Sequence, residues 1–204
     1  MKEEKDYIRD IAEIRTMMER SSKFLSLSGW AGIMAGIYAL TGAFIAYKVL
    51  NFNPGAVEDG VAPSESFSKV IFLAIIIFVL AIVTAVFLSY KKAEKKGEKI
   101  WNATSRQLLI NMAVPFLAGG VLILILIAKN FYGLVAPFTL LFYGLALFNA
   151  SKFTYHAVKI LGLVEIVLGL TSAYFEEYGL LFWALGFGIA HIIYGVYIHY
   201  RYEK

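Results

Sequence analysis

The chain has 204 residues, 59% of them hydrophobic, with no cysteine and a formal net charge of +4. Without cysteine, disulfides and thiolate metal sites are excluded. The apolar share exceeds the roughly 45–50% of soluble domains, and the basic residues flank long uncharged runs instead of forming one face. That distribution excludes a nucleic-acid surface and points to a membrane.

Residues 1–26 come first. In KEEKDYIRDIAEIRTMMERSSKF, charged and apolar residues alternate. Tyr7, Ile11, Ile14 and Met18 follow one another at steps of 4, 3 and 4, the seam of a short amphipathic helix. Such a helix lies on the inner membrane surface, or it docks a second copy of the chain or a cytoplasmic protein. Its acidic residues balance its basic ones, which keeps the docking alternative open. The mixed charge and the long apolar run that follows do not fit a cleaved signal.

Six apolar segments follow. Twenty-four uncharged residues separate Lys23 from Lys48, 21 separate Lys69 from Lys91, and 22 separate Arg106 from Lys129. Another 22 lie between Lys129 and Lys152 and 23 between Glu177 and Arg201, while Lys159 to Glu176 encloses 16 residues with Glu165 among them. About 20 apolar residues cross a bilayer as a helix. The reading is therefore an all-α polytopic membrane protein, with six spans at about 27–49, 69–90, 108–128, 131–149, 158–175 and 179–199 within a domain of 27–200. Residues 201–204 form a short tail.

Charge orients the spans. Sixteen of the 19 basic residues fall in the N-terminal segment, the second and fourth connections and the tail. By the positive-inside rule both termini are cytoplasmic, in a plasma (inner) membrane. The run KKAEKKGEK places Lys91, Lys92, Lys95, Lys96 and Lys99 where they mark topology or attract anionic lipid. The connections leave three hairpins and no room for a further domain.

The hairpins share short stretches. ALTGAF (39–44) parallels GLTSAY (169–174), and FYGLALF (142–148) parallels IYGVYIH (193–199). With a glycine-rich first helix closing on Asn-Pro in NFNP, this layout over residues 28–200 resembles the small bacterial six-helix family that includes acid-resistance membrane proteins. The resemblance is architectural. It implies a fold and a stress-related setting, carries no catalytic motif, and does not cover the charged N-terminal extension or Glu165.

Glu165, in LVEIVLGL, is the one acid inside an apolar run. It falls within about 60° of Gly162, Gly169 and Ser172 around a helix, so it faces the bundle. His191 shares a stripe with Ala184, Gly188 and Gly195. Each sits about eight positions from the inner end of its span, roughly 12 Å deep at 1.5 Å per residue. A Glu165–His191 contact follows, with Tyr143, Tyr194, Thr84 and Asn149 as candidates to complete a polar cluster. An ionised side chain at this depth costs roughly 2.5–3.5 kcal/mol, so the cluster either serves a function, the default hypothesis for an intramembrane ionisable residue, or fixes helix register.

No H-E-x-x-H or G-x-S-x-G occurs, and His191 and His199 share one helix, which disfavours a bis-histidine haem. No enzyme, metal or cofactor is expected. Two classes remain. One is a non-catalytic scaffold or regulatory membrane protein acting through its N-terminal helix. The other is a small transporter, channel or ligand-binding protein that uses Glu165 and His191 for protons or ligand.

Overall fold

A computed structural model of the chain describes residues 23–52, 65–97 and 99–204. The expected N-terminal helix, with Tyr7, Ile11, Ile14 and Met18, lies outside the described residues. All regular structure among them is helical. Six helices are long and apolar enough to cross a membrane: Gly29–Val49, Phe67–Lys95, Ala103–Ala128, Tyr132–Phe153, His156–Tyr174 and Glu176–Tyr202. The protein is a multi-pass helical membrane protein. Its spans run alternately up and down, so Lys92, Tyr155 and Glu203 gather at one end, called here the basic end. Phe67 and Tyr132 meet at the opposite end.

Local chemistry sets the boundaries. The third span begins with a reciprocal capping box. Asn102 Oδ1 accepts from the Ser105 N–H at 2.8 Å, and Ser105 Oγ accepts from the Asn102 N–H at 2.9 Å. The same span ends where Asn130 turns left-handed at φ 60°. Pro137 occupies the first turn of the helix Val135–Ala150, where its missing N–H has no intrahelical partner to lose. Pro115 lies inside the third span, which runs on through it.

Packing is uneven. Lipid offers helices no hydrophobic drive to associate, so backbones approach where side chains are small. The most extensive interface joins the fourth and fifth spans, and the next unites the first and sixth. At the former, a Cβ on Gly162 would stand 2.8 Å from the Gly144 carbonyl oxygen, and one on Gly144 would stand 2.6 Å from that of Gly162. In the latter, a Cβ on Gly29 would meet the Gly195 carbonyl at 2.5 Å. Consecutive spans five and six touch far less than either pair. The second and third spans lie at the flanks. They rest mainly on the first and fourth respectively and present most of their surface outward.

A strap precedes the first span. Residues 23–28 are non-helical, yet Phe24, Ser26 and Ser28 are buried. Phe24 packs with Leu108 and Ala150. Leu25 and Leu27 pack against Tyr155, Val158, Leu161 and Ile198. The strap therefore crosses the basic end over the tips of the third to sixth spans.

Candidate functional site

The fourth, fifth and sixth spans each contribute one polar side chain to a common interior point. Glu165 is fully buried, on a face with Gly162, Gly169 and Ser172, which are buried with it. His191 is 6% exposed and starts the final helical segment of the sixth span. Its Nδ1 lies 3.4 Å from Glu165 Oε1. Tyr143 reaches His191 Nε2 at 2.9 Å, and its ring stacks on the imidazole.

The sequence makes room for the carboxyl by local means. The seven residues Ala184–Ala190 form a π-helix with two glycines. Such a turn inserts one residue into an α-helical ladder and commonly marks a functional or strained place. Here it brings Gly186 against Glu165. A Cβ on Gly186 would stand 2.4 Å from Glu165 Oε2 and 2.6 Å from Leu140 Cδ2. Across the site, a Cβ on Gly144 would stand 2.9 Å from the Glu165 Cβ.

Hydrogen-bond partners place one proton of the histidine. His191 Nδ1 lies 3.0 Å from the Gly186 carbonyl oxygen, which can only accept. Nδ1 therefore carries a proton and donates it there. Nε2 pairs with the Tyr143 hydroxyl. Both ring nitrogens are satisfied without Glu165. Neither carboxyl oxygen of Glu165, nor Ser172 Oγ, has a hydrogen-bond partner among the described residues. The Glu165–His191 approach is a contact without hydrogen-bond geometry.

The other candidates lie apart. Thr84 sits on the second span, and its hydroxyl meets that of Tyr38 at 3.3 Å. Tyr194 is half-buried, packed beside Gly32 and the apolar cluster around Ile198. Asn149 is half-buried with no bond to the pair. Lys91, Lys95, Lys96 and Lys99 are exposed, with the Lys91 ammonium over the Phe87 ring.

Lys92 behaves differently. Its side chain is 12% exposed and its Nζ is 3.0 Å from Glu203 Oε1. It also donates to the Leu27 carbonyl at 2.6 Å and to the Tyr155 hydroxyl at 3.3 Å. Glu203 further accepts from the Gly29 N–H at 2.8 Å and from His199 Nδ1 at 2.9 Å. Burial alone would raise the Glu203 pKa. The donors His199, Gly29 and Lys92 outweigh it and hold the carboxyl below its ordinary value. Sequence reasoning passed over this group because Lys92 and Glu203 read as ordinary flanking charges.

No group of three or more His, Asp or Glu side chains able to hold a metal gathers among the described residues. A crevice of about 430 Å³ lies at the opposite end, lined by Ile45, Leu50, Glu65, Lys69 and Phe72 among others, away from Glu165. No protein-family model, curated protein or solved structure matches the chain.

Proposed function

We propose that the chain is a non-catalytic scaffold or regulatory protein of the plasma (inner) membrane, built as three hairpins with both termini cytoplasmic. The observation that carries this reading is the enclosure of Glu165. Glu165, the one acid among the described residues that lies away from the ends of a span, is fully buried among Leu140, Gly144 and Gly186. A conducting pathway needs a polar lining that continues from such a residue to both surfaces. Around Glu165 the neighbours are glycine, leucine, and a histidine and a tyrosine bonded to each other. The excess of Lys and Arg at the basic end supports the orientation. The architectural resemblance to acid-resistance membrane proteins supports a stress-related setting. Partners under this reading are the lipid bilayer and a second copy or a cytoplasmic protein held by residues 1–22.

One observation favours the transport or ligand-handling alternative: the carboxyl oxygens of Glu165 lack donors, as they would if a proton or small cation completed the site. A single assay separates the two. The purified protein is reconstituted in vesicles enclosing a pH-sensitive dye, and proton and monovalent-cation flux is compared with Glu165→Gln and with empty vesicles. The scaffold reading expects equal rates in all three, and a cellular phenotype from deleting residues 1–22. Flux that depends on Glu165 overturns it.

A further inference from the structure

Residues 23–28 could be an idle connection between the N-terminal segment and the first span, but their bonding is inconsistent with that. The Phe24 N–H donates to the Phe153 carbonyl at 2.7 Å, and Thr154 Oγ1 donates to the Phe24 carbonyl at 2.8 Å. The Tyr155 hydroxyl donates to the Leu25 carbonyl. The Leu27 carbonyl accepts from Lys92, and the Gly29 N–H is held by Glu203. The backbone is thus tied down at Phe24, Leu25, Leu27 and Gly29, in turn to the link between the fourth and fifth spans, to the second span and to the end of the sixth. Extended backbone buried without such partners would leave its amides and carbonyls unsatisfied at roughly 1–3 kcal/mol each. The partners come from three separate parts of the chain.

We propose that residues 23–28 form a latch, closed by the Lys92–Glu203 pair, that couples the position of the N-terminal segment to the seam between the first and sixth spans. The latch leads straight into Gly29, whose backbone lies against Gly195 and His199. A pull on Lys23 is therefore delivered to a glycine seam with no slack. Release has a defined consequence as well. Phe24 leaves a slot formed by Leu108 and Ala150 with Met112 and Phe153 alongside, exposing apolar surface at the basic end. Glu203 is the keystone because it bonds the second span, the first residue of the first span and the sixth span together. The proposal rests on the regulatory reading only for what the latch transmits.

The test is hydrogen exchange, resolved by peptide, on the full chain in vesicles. Lys92→Met, Glu203→Ala and the double variant are compared with the unaltered protein. Amides of residues 24–29 are expected to exchange roughly tenfold faster in each single variant, since hydrogen bonds to charged groups contribute most to local opening. The double variant is expected to exchange no faster than the faster single one, because both remove the same closure. Amides within the fourth and fifth spans stay unchanged. Thr154→Val, which removes one bond to the strap and no charge, gives a smaller rise confined to residues 23–26. Unaltered exchange in residues 24–29, or a rise shared equally by the interior of the fourth and fifth spans, overturns the latch. No partner is needed for this measurement. A silent deletion of residues 1–22 would count against the regulatory function and leave the latch standing, and the converse holds too.

Discussion

Gly186 has no side chain where Glu165 needs its space, and this makes the pair a sensitive probe of the site. Gly186→Ala places a methyl 2.4 Å from Glu165 Oε2. Overpacking of this kind costs about 1–3 kcal/mol. The substitution is expected to lower the unfolding midpoint in detergent, and to cost clearly less when Glu165→Ala has already emptied the space. Equal losses in the two backgrounds would show that the methyl and the carboxyl do not compete. The histidine offers a spectroscopic check. Nitrogen-15 spectra of His191 are expected to show a protonated Nδ1, with the Nε2 signal moving in Tyr143→Phe. That variant should lose only about 0.6–1.7 kcal/mol, the scale measured for hydrogen bonds between membrane helices. The burial of Glu165 and its level with His191 were readable from helical periodicity and from counting residues along two spans. The withdrawal of Nδ1 to Gly186 was not, because a π-helical insertion has no periodic signature and depends on which backbone must yield to the carboxyl.

At the scale of whole helices, glycines with different surroundings should behave oppositely. Gly162→Ala sets a methyl 2.8 Å from the Gly144 carbonyl and 2.9 Å from the Phe148 nitrogen, both backbone atoms that cannot turn aside. The fourth and fifth spans must then separate, at about 1–3 kcal/mol. A Cβ on Gly120 meets nothing within 4 Å, so Gly120→Ala should be neutral or stabilise the third span by up to about 1 kcal/mol through helix propensity. Thermal unfolding of the two variants side by side tests the contrast. The strap carries a pH signature. Its Glu203 carboxyl is held below the ordinary value, so the folded state binds its proton less readily than the unfolded chain. The resulting stabilisation is present above the ordinary glutamate pKa of about 4.3. It is lost as pH falls through the lowered folded value. The slope of stability against pH below about 4.3 should flatten in Glu203→Gln, and an unchanged slope would assign it to other carboxylates. The sequence announced the six spans, since each needs only uninterrupted apolar length. It concealed which spans pair, because stripes of small residues appear on the first, fifth and sixth alike and do not name their partners.

For the molecule as a whole, the fold rests on two close pairs, the fourth span with the fifth and the first with the sixth, flanked by the second span on the first and the third on the fourth. The sequence conveyed the alternation of spans and the gathering of positive charge at one end, because both follow from the bilayer rather than from packing. The strap was invisible to it, since six residues with no periodicity resemble any linker until their carbonyls are followed to their donors. The union of the first and sixth spans also bears on biosynthesis. The first span emerges from the ribosome roughly 150 residues ahead of the helix that covers its glycine face, a separation that makes the contact slow to form. Until then that face can meet only lipid, the insertion machinery or another polypeptide. A nascent chain arrested before the sixth span is therefore expected to leave the first span open to a Cys-directed reagent at Gly32→Cys, and completion of the chain to close it. The last helix made would then act as the step that commits the earliest one to its place.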